Sequence, residues 1–405
     1  MAPKEAPVGR FRYPAGTAVV GTLWQVVLQH CHYELPGVSQ KILFADKLRG
    51  LAALSVVISH FAYGFWAYEQ EVARLIGAPP LSATTPIVDF QKIWLPEGFF
   101  GHFGVALFFL ISGFVVPFGL LDRSRLDFAM GRVFRIWPTY AAGLAITVTL
   151  VVLSARYFGA PLPFSWATAV LQLLMIRDLF WVPSIDGIVW TLEIEVKFYL
   201  LCLVIASALR RGSVPLVLTT GLALAAFSIS CALLLPDWLT SGAPLYRVSY
   251  ALFLSAQMIT FMLIGVTFNF HYRGLVSGRL GLLLGSVFLV ATLLQWAFGP
   301  IRSSLAPGSI SYALGLTVFT AAYVARNALA RPSAALGFLA RISYPLYVVH
   351  GVGGYVIMRI AVDRGLGALG ATSLALTYSI LAATLLHKLI EEPSRLWFRH
   401  RASLG

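Results

Sequence analysis

Arg49 and His60 bracket ten uncharged residues in the stretch RGLAALSVVISH. Eleven helical steps of about 100° come within about 20° of three full turns, so both side chains fall on one helix face. At a rise of about 1.5 Å per residue they stand roughly 16 Å apart along the axis. An arginine at one end of such a line can hold phosphate, and a neutral histidine at the other can take a proton from an attacking hydroxyl. The pair reads as an anion anchor and a general base for a long ligand. In the plainer alternative, His60 bonds a neighbouring helix.

Further chemistry-bearing residues follow. The segment WTLEIEVKFY, Trp190 to Tyr199, carries two acids. Glu195 and Tyr199 are four apart and share a face. Roughly 9 Å beyond Trp190, Glu195 can orient His60, meet an acceptor hydroxyl or pair with Lys197. For Glu193, pairing with Lys197 is the favoured reading. His350 lies nine residues after Arg341, roughly 14 Å into its helix and level with His60. It either lines the same cavity or bonds a carbonyl freed by Pro345. Arg132 and Arg135, one turn apart before Pro138, form with Arg49 either an anion site or ordinary topology signals. Ser112 sits in FFLISG, where Gly101, Gly104 and Gly113 favour close helix packing.

The elements that must position these groups are membrane helices. Hydrophobic residues make up 58% of the 405-residue chain and charged ones 12%, about half the share usual in a soluble domain. The net charge of +13 is spread over the ends of apolar runs instead of forming one patch, which sets nucleic acid aside. Ten runs are long enough to cross a bilayer, near 50–68, 101–121, 138–158, 189–209, 214–235, 250–270, 279–298, 309–330, 342–361 and 368–390. With the N-terminus in the cytoplasm, most lysines and arginines fall on the cytoplasmic side, so both termini are expected there. The opposite side receives the loop 69–100, with Glu69, Glu71, Asp89 and Glu97.

The shorter 163–181, with Pro163, Arg177 and Asp178, reads as an interfacial segment, as does 18–28. Cys31, Cys202 and Cys231 are too scattered for a disulfide framework or zinc site, and no metal is expected. GxxxxGK[ST], GxSxG and HExxH motifs are absent. The expectation is one all-α, polytopic domain over 44–393, with a cytoplasmic extension at 1–43 and a tail at 394–405.

From Phe44 to Pro393 the chain resembles the acyltransferase-3 family of integral membrane acyltransferases. The resemblance rests on Arg49–ten residues–His60, GVALFFLISGF (Gly104 to Phe114), and Arg132 and Arg135 in RVFRIWPTY. Trp190 to Tyr199, with Glu195 at the acidic position, Tyr344 to His350, and Glu392-Pro393 complete it. Thr191 stands where the family usually has serine, and Glu193 is an added acid.

The resemblance implies acyl transfer, usually acetyl, from acetyl-CoA or another acyl-CoA as co-substrate, with no permanently bound cofactor. The acceptor would be a hydroxyl of an envelope glycan, lipid-linked sugar or exported small molecule. It further implies an essential His60. The CoA head would lie on Arg49, Arg132 and Arg135, with Glu195, Tyr199, Trp190, His350 and Ser112 near the substrates. Without a family, ten spans with buried ionisable groups equally fit a proton-coupled transporter using His60, Glu195 and His350 as a relay.

Overall fold

The computed structural model describes residues 42–81, 99–234, 244–298 and 305–402, and all regular structure among them is helical. The expected segment at 18–28 lies outside these residues, as does much of the loop 69–100. Eight helices are long and apolar enough to cross a bilayer: Leu43–Ala67, Phe99–Leu120, Arg125–Phe158, Val214–Leu233, Arg247–Tyr272, Gly278–Phe298, Ala334–Asp363 and Ala368–Phe398. The remaining two expected crossings are shorter. One is Val189–Val204, interrupted at Ile205 before Ala206–Arg211, and the other has an apolar part at Gly308–Val324. Segment 163–181 forms only an eight-residue helix and a short turn, too short to cross. This is a multi-pass membrane protein.

Helix α1, Leu43–Ile58, occupies the centre because it is apolar on two faces. Ala45, Leu48, Ala52 and Val56 join one hydrophobic cluster, while Ala53, Val57, Phe61 and Phe65 join a second. Both sets repeat every three or four residues, the helical period. At Ser59–Gly64 the helix widens into a π-turn before continuing to Ala67. Such wide turns occur mostly singly and often at functional sites.

The other helices are α2 (Glu69–Ile76), α3 (Phe99–Val115), α4 (Arg125–Phe158), α5 (Trp166–Leu173), α6 (Val189–Val204), α7 (Ala206–Arg211) and α8 (Val214–Leu234). After these come α9 (Pro244–Tyr272), α10 (Gly278–Phe298), α11 (Leu305–Val324), α12 (Ala334–Asp363), α13 (Ala368–Leu386) and α14 (Glu392–Ala402). On one side of α1 lie α3, α9 and α11, and on the other α12 and α13, with α4 packed against α12.

In lipid, helices associate by close packing, so small residues mark the crossings. A Cβ on Gly104 of α3 would stand 2.7 Å from the Ala52 carbonyl oxygen of α1. On Gly113 it would stand 1.9 Å from that of Met262 in α9, and on Gly265 it would meet the Leu110 carbonyl at 2.3 Å. The glycines of GVALFFLISGF therefore set how near α3 comes to both neighbours.

Candidate active site

Four of these helices surround a slot of about 90 Å³ together with α1. Arg49 of α1, Ser112 of α3, Arg135 of α4, Thr191, Glu195 and Tyr199 of α6, and Tyr347 of α12 all line it. The α6 residues repeat every four positions and so present one helix face. Glu195 accepts hydrogen bonds from Ser112 Oγ at 3.2 Å and from the Tyr199 hydroxyl. Arg49 is steadied by Asp46 at 2.8 Å. At the far end, Thr191 and Tyr347 share a hydroxyl–hydroxyl hydrogen bond of 2.7 Å.

Arg135 also lines an adjoining cleft of about 100 Å³ with Arg123, Arg132 and Arg395. Phe128, Phe134 and Phe398 supply its apolar walls, the last two stacked with centroids 5.6 Å apart. Arg132 lies over the rings of Phe128 and Tyr199, at 5.0 and 5.3 Å. Through Tyr199 it abuts the carboxylate of Glu195. Guanidinium groups beside aromatic faces suit a phosphate-bearing aromatic ligand. Sequence reading missed Arg123 and Arg395. Their contribution depends on α14 folding back against α4, where Ser394 Oγ donates to the Phe134 carbonyl at 3.0 Å.

Beyond Tyr347 the structure brings His60 and His350 together, with ring centroids 4.8 Å apart. Nδ1 of His350 lies 3.0 and 2.9 Å from the carbonyls of Leu346 and Tyr347. Both partners are acceptors, so Nδ1 carries the proton. Nε2 is then an acceptor, buried and without a partner among the described residues. Pro345 does not supply these carbonyls, since its missing N–H frees the carbonyl of Arg341, four residues earlier. The departure from helical geometry beside His350 is instead at Gly351, with φ −52° and ψ −106°.

His60 Nδ1 is 3.0 Å from the hydroxyl of Tyr355, a residue the sequence did not single out, and the two rings stack at 5.7 Å. Glu195 therefore stands in the arginine slot, while Tyr355 and His350 are the neighbours that orient His60. Tyr355 follows His350 by five residues across the Gly351 kink, a spacing that straight-helix arithmetic does not bring onto one face.

A hydrogen-bonded loop abuts this kink. Asp186 is buried and accepts from Tyr140 at 3.0 Å, Ser184 at 3.1 Å, and the amides of Ile188 and Val189 at 3.0 and 3.1 Å. It caps the start of α6, and burial pushes its carboxyl above the ordinary range against the pull of those donors. The Asp186 carbonyl would lie 3.0 Å from a Cβ at Gly351. Glycine there lets the loop close over the histidine end of α12.

The opposite face of α6 corrects one expectation. Glu193 is only 1% exposed and pairs with Arg177, through Nε at 3.2 Å and Nη2 at 2.8 Å, instead of with Lys197. Lys197 pairs with Asp178 at 2.5 Å. The cause is the backbone of 163–181, where Met175 and Trp181 adopt φ of 55° and 52° and turn Arg177 and Asp178 back onto α6. Trp190 lies on this face with Trp181, away from the slot.

The family model described as an acyltransferase domain matches residues 42–388. The chain belongs to the acyltransferase-3 family. A curated relative, the acyltransferase MdmB of Streptomyces mycarofaciens, is 25% identical over 377 residues, covering 85% of this chain and 89% of the relative. No solved structure matches. This acyltransferase thus keeps its slot, its arginine cleft and its histidine pair within the matched region, except for Arg395 of the cleft. As a membrane acyltransferase it needs a donor and an acceptor.

Proposed function

We propose that the chain transfers an acyl group, acetyl by the habit of its family, from acyl-CoA to a hydroxyl of an envelope glycan, lipid-linked sugar or exported small molecule. The observation that carries this reading is the continuity of the arginine cleft with the slot through Arg135, and the histidine pair just past the slot's far end. Arg123, Arg132, Arg135 and Arg395 take the phosphates of the CoA head. Arg49 and Arg135 guide the pantetheine arm, a thread on the order of 15–20 Å that matches the roughly 16 Å from Arg49 to His60. The chain sits in the cell membrane with both termini and the cleft on the cytoplasmic side, crossing ten times.

At the thioester, His60 takes the proton of the acceptor hydroxyl as its oxygen attacks the carbonyl carbon. The C–O bond forms, the C–S bond breaks, and the departing CoA thiolate takes the proton back from His60. Tyr355 holds the His60 ring and His350 backs it from the other side. Transfer is direct, without an acyl-enzyme.

The test is acyl transfer by the purified chain in nanodiscs, with radiolabelled acetyl-CoA and a panel of glycosidic and small-molecule hydroxyl acceptors. Wild type is expected to label an acceptor, and His60→Ala to lose at least a hundredfold in kcat. Undiminished labelling by His60→Ala would sink the base assignment. Label retained on the protein after acceptor is withheld would refute direct transfer.

A further inference from the structure

A second cavity, of about 310 Å³, lies on the other face of α6 from the slot. Trp190, Glu193 and Ile194 of α6 line it, facing Trp181 and Tyr250, with Asp178 at its wall. We propose that this cavity binds one neutral pyranose ring of a glycosylated acceptor. As a statement about the acceptor, this rests on the acyl-transfer reading above, but the binding itself does not.

The size is at the lower end of ligand pockets, which suits one ring and not an extended chain. The walls suit a sugar. The Trp181 and Tyr250 rings stand 4.8 Å apart at 45°, so two aromatic faces meet at an angle, and Trp190 adds a third. Such flat amphipathic faces accept the C–H face of a pyranose while their polar edges stay available for hydrogen bonding.

The polar wall asks for a donor. Asp178 gives one carboxylate oxygen to Lys197 at 2.5 Å, and its other oxygen is buried without a partner among the described residues. A carboxylate only accepts, so the group that completes it must donate, as a sugar hydroxyl does. Charge separates this reading from an aromatic cage for an ammonium ion. Glu193 is neutralised by Arg177 and Asp178 by Lys197, which leaves the wall without the net negative charge that a cation needs.

The backbone points the same way. Met175 and Trp181, neither of them glycine, hold left-handed conformations on either side of the turn that carries Arg177 and Asp178. Strain of this kind persists where surrounding contacts enforce it, and it gathers at ligand sites. Because α6 separates the cavity from the slot by about 10 Å, the ring held here is a neighbour of the reacting sugar.

The full chain in nanodiscs, without acyl-CoA, is tested by saturation-transfer NMR and calorimetry against methyl glycosides of glucose, galactose, mannose and rhamnose, and against choline. Wild type is expected to bind at least one glycoside. Trp181→Gly removes a ring while suiting the left-handed backbone, so it should keep its Tm and weaken that binding at least tenfold. Tyr250→Ala, on a different helix, should do the same. Absence of glycoside binding by wild type would overturn the proposal, as would undiminished binding by both variants. Choline displacing the sugar would replace it with a cation site. His60→Ala is expected to bind the glycoside as wild type does, so failure of the catalytic reading and failure of this one give different results.

Discussion

Tyr355→Phe tests the arrangement around His60 with the least disturbance. The substitution removes one hydroxyl and keeps the ring that stacks on the imidazole at 5.7 Å. What is lost is the 3.0 Å hydrogen bond to His60 Nδ1. A neutral hydrogen bond contributes about 1 kcal/mol net, and a buried group left unpaired costs about 1–3 kcal/mol. At about 1.4 kcal/mol per factor of ten, kcat should fall between about fivefold and about 150-fold. Removing the base itself is expected to cost about 10²- to 10⁴-fold.

KM for acetyl-CoA should not move, because Tyr355 lies beyond Tyr347, away from the arginines. Initial rates of acyl transfer in nanodiscs, taken at saturating acceptor, measure both quantities. A loss in Tyr355→Phe as large as in His60→Ala would show that the tyrosine itself moves the proton. Unchanged kcat would show that this bond does not hold the imidazole in its working orientation. Gly64→Ala checks the same contact from the other side, since its Cβ would lie 2.9 Å from the Tyr355 hydroxyl oxygen and displace it.

Arg135→Ala should raise KM for acyl-CoA by about 10- to 100-fold, the worth of a charged hydrogen bond of about 1.5–3 kcal/mol, with kcat little changed. Initial rates over a range of donor concentrations read this, and an unchanged KM removes Arg135 from the phosphate site. Arg177→Ala leaves Glu193 buried without its cation and should cost about 3–5 kcal/mol, seen as a lowered Tm in detergent. The double variant Arg177→Met with Glu193→Leu should recover most of that loss, and failure to recover would mean that the pair holds more than its own charges. Gly113→Ala should also lower Tm, because the 1.9 Å approach to the Met262 carbonyl forces α3 and α9 apart; an unchanged Tm would refute that crossing as a determinant.

What was legible in the sequence follows from the solvent. Length and apolarity gave the helices, because a bilayer tolerates few other spanning structures. The convergence of Arg49, Arg135, Ser112, Glu195 and Tyr199 on one slot was foreseeable only as a set of separate inward-facing groups. The partners of His60 were hidden for a local reason: straight-helix arithmetic knows nothing of a π-turn at Ser59–Gly64 or a kink at Gly351. Glu193 misled for a tertiary reason. Lys197 stands four residues away on the same helix, but Arg177 arrives from a folded-back turn and presents two donors to both carboxylate oxygens. Asp186 and Tyr140 escaped notice because a loop acid reads as surface until its burial is seen.

The wide turn at Ser59–Gly64 has a consequence for how this segment can vary. A π-turn accommodates one residue more than the α-helix it interrupts, so it is a matter of chain length and not only of side-chain choice. Deleting a single residue there would swing everything that follows, Phe65 and Trp66 included, by about 100° about the helix axis. Both pack in the cluster shared with α12, and the deletion would take them off it. Substitutions within the turn can be absorbed one at a time, but a one-residue deletion or insertion cannot. Related sequences should therefore drift in composition here while holding the count of residues fixed.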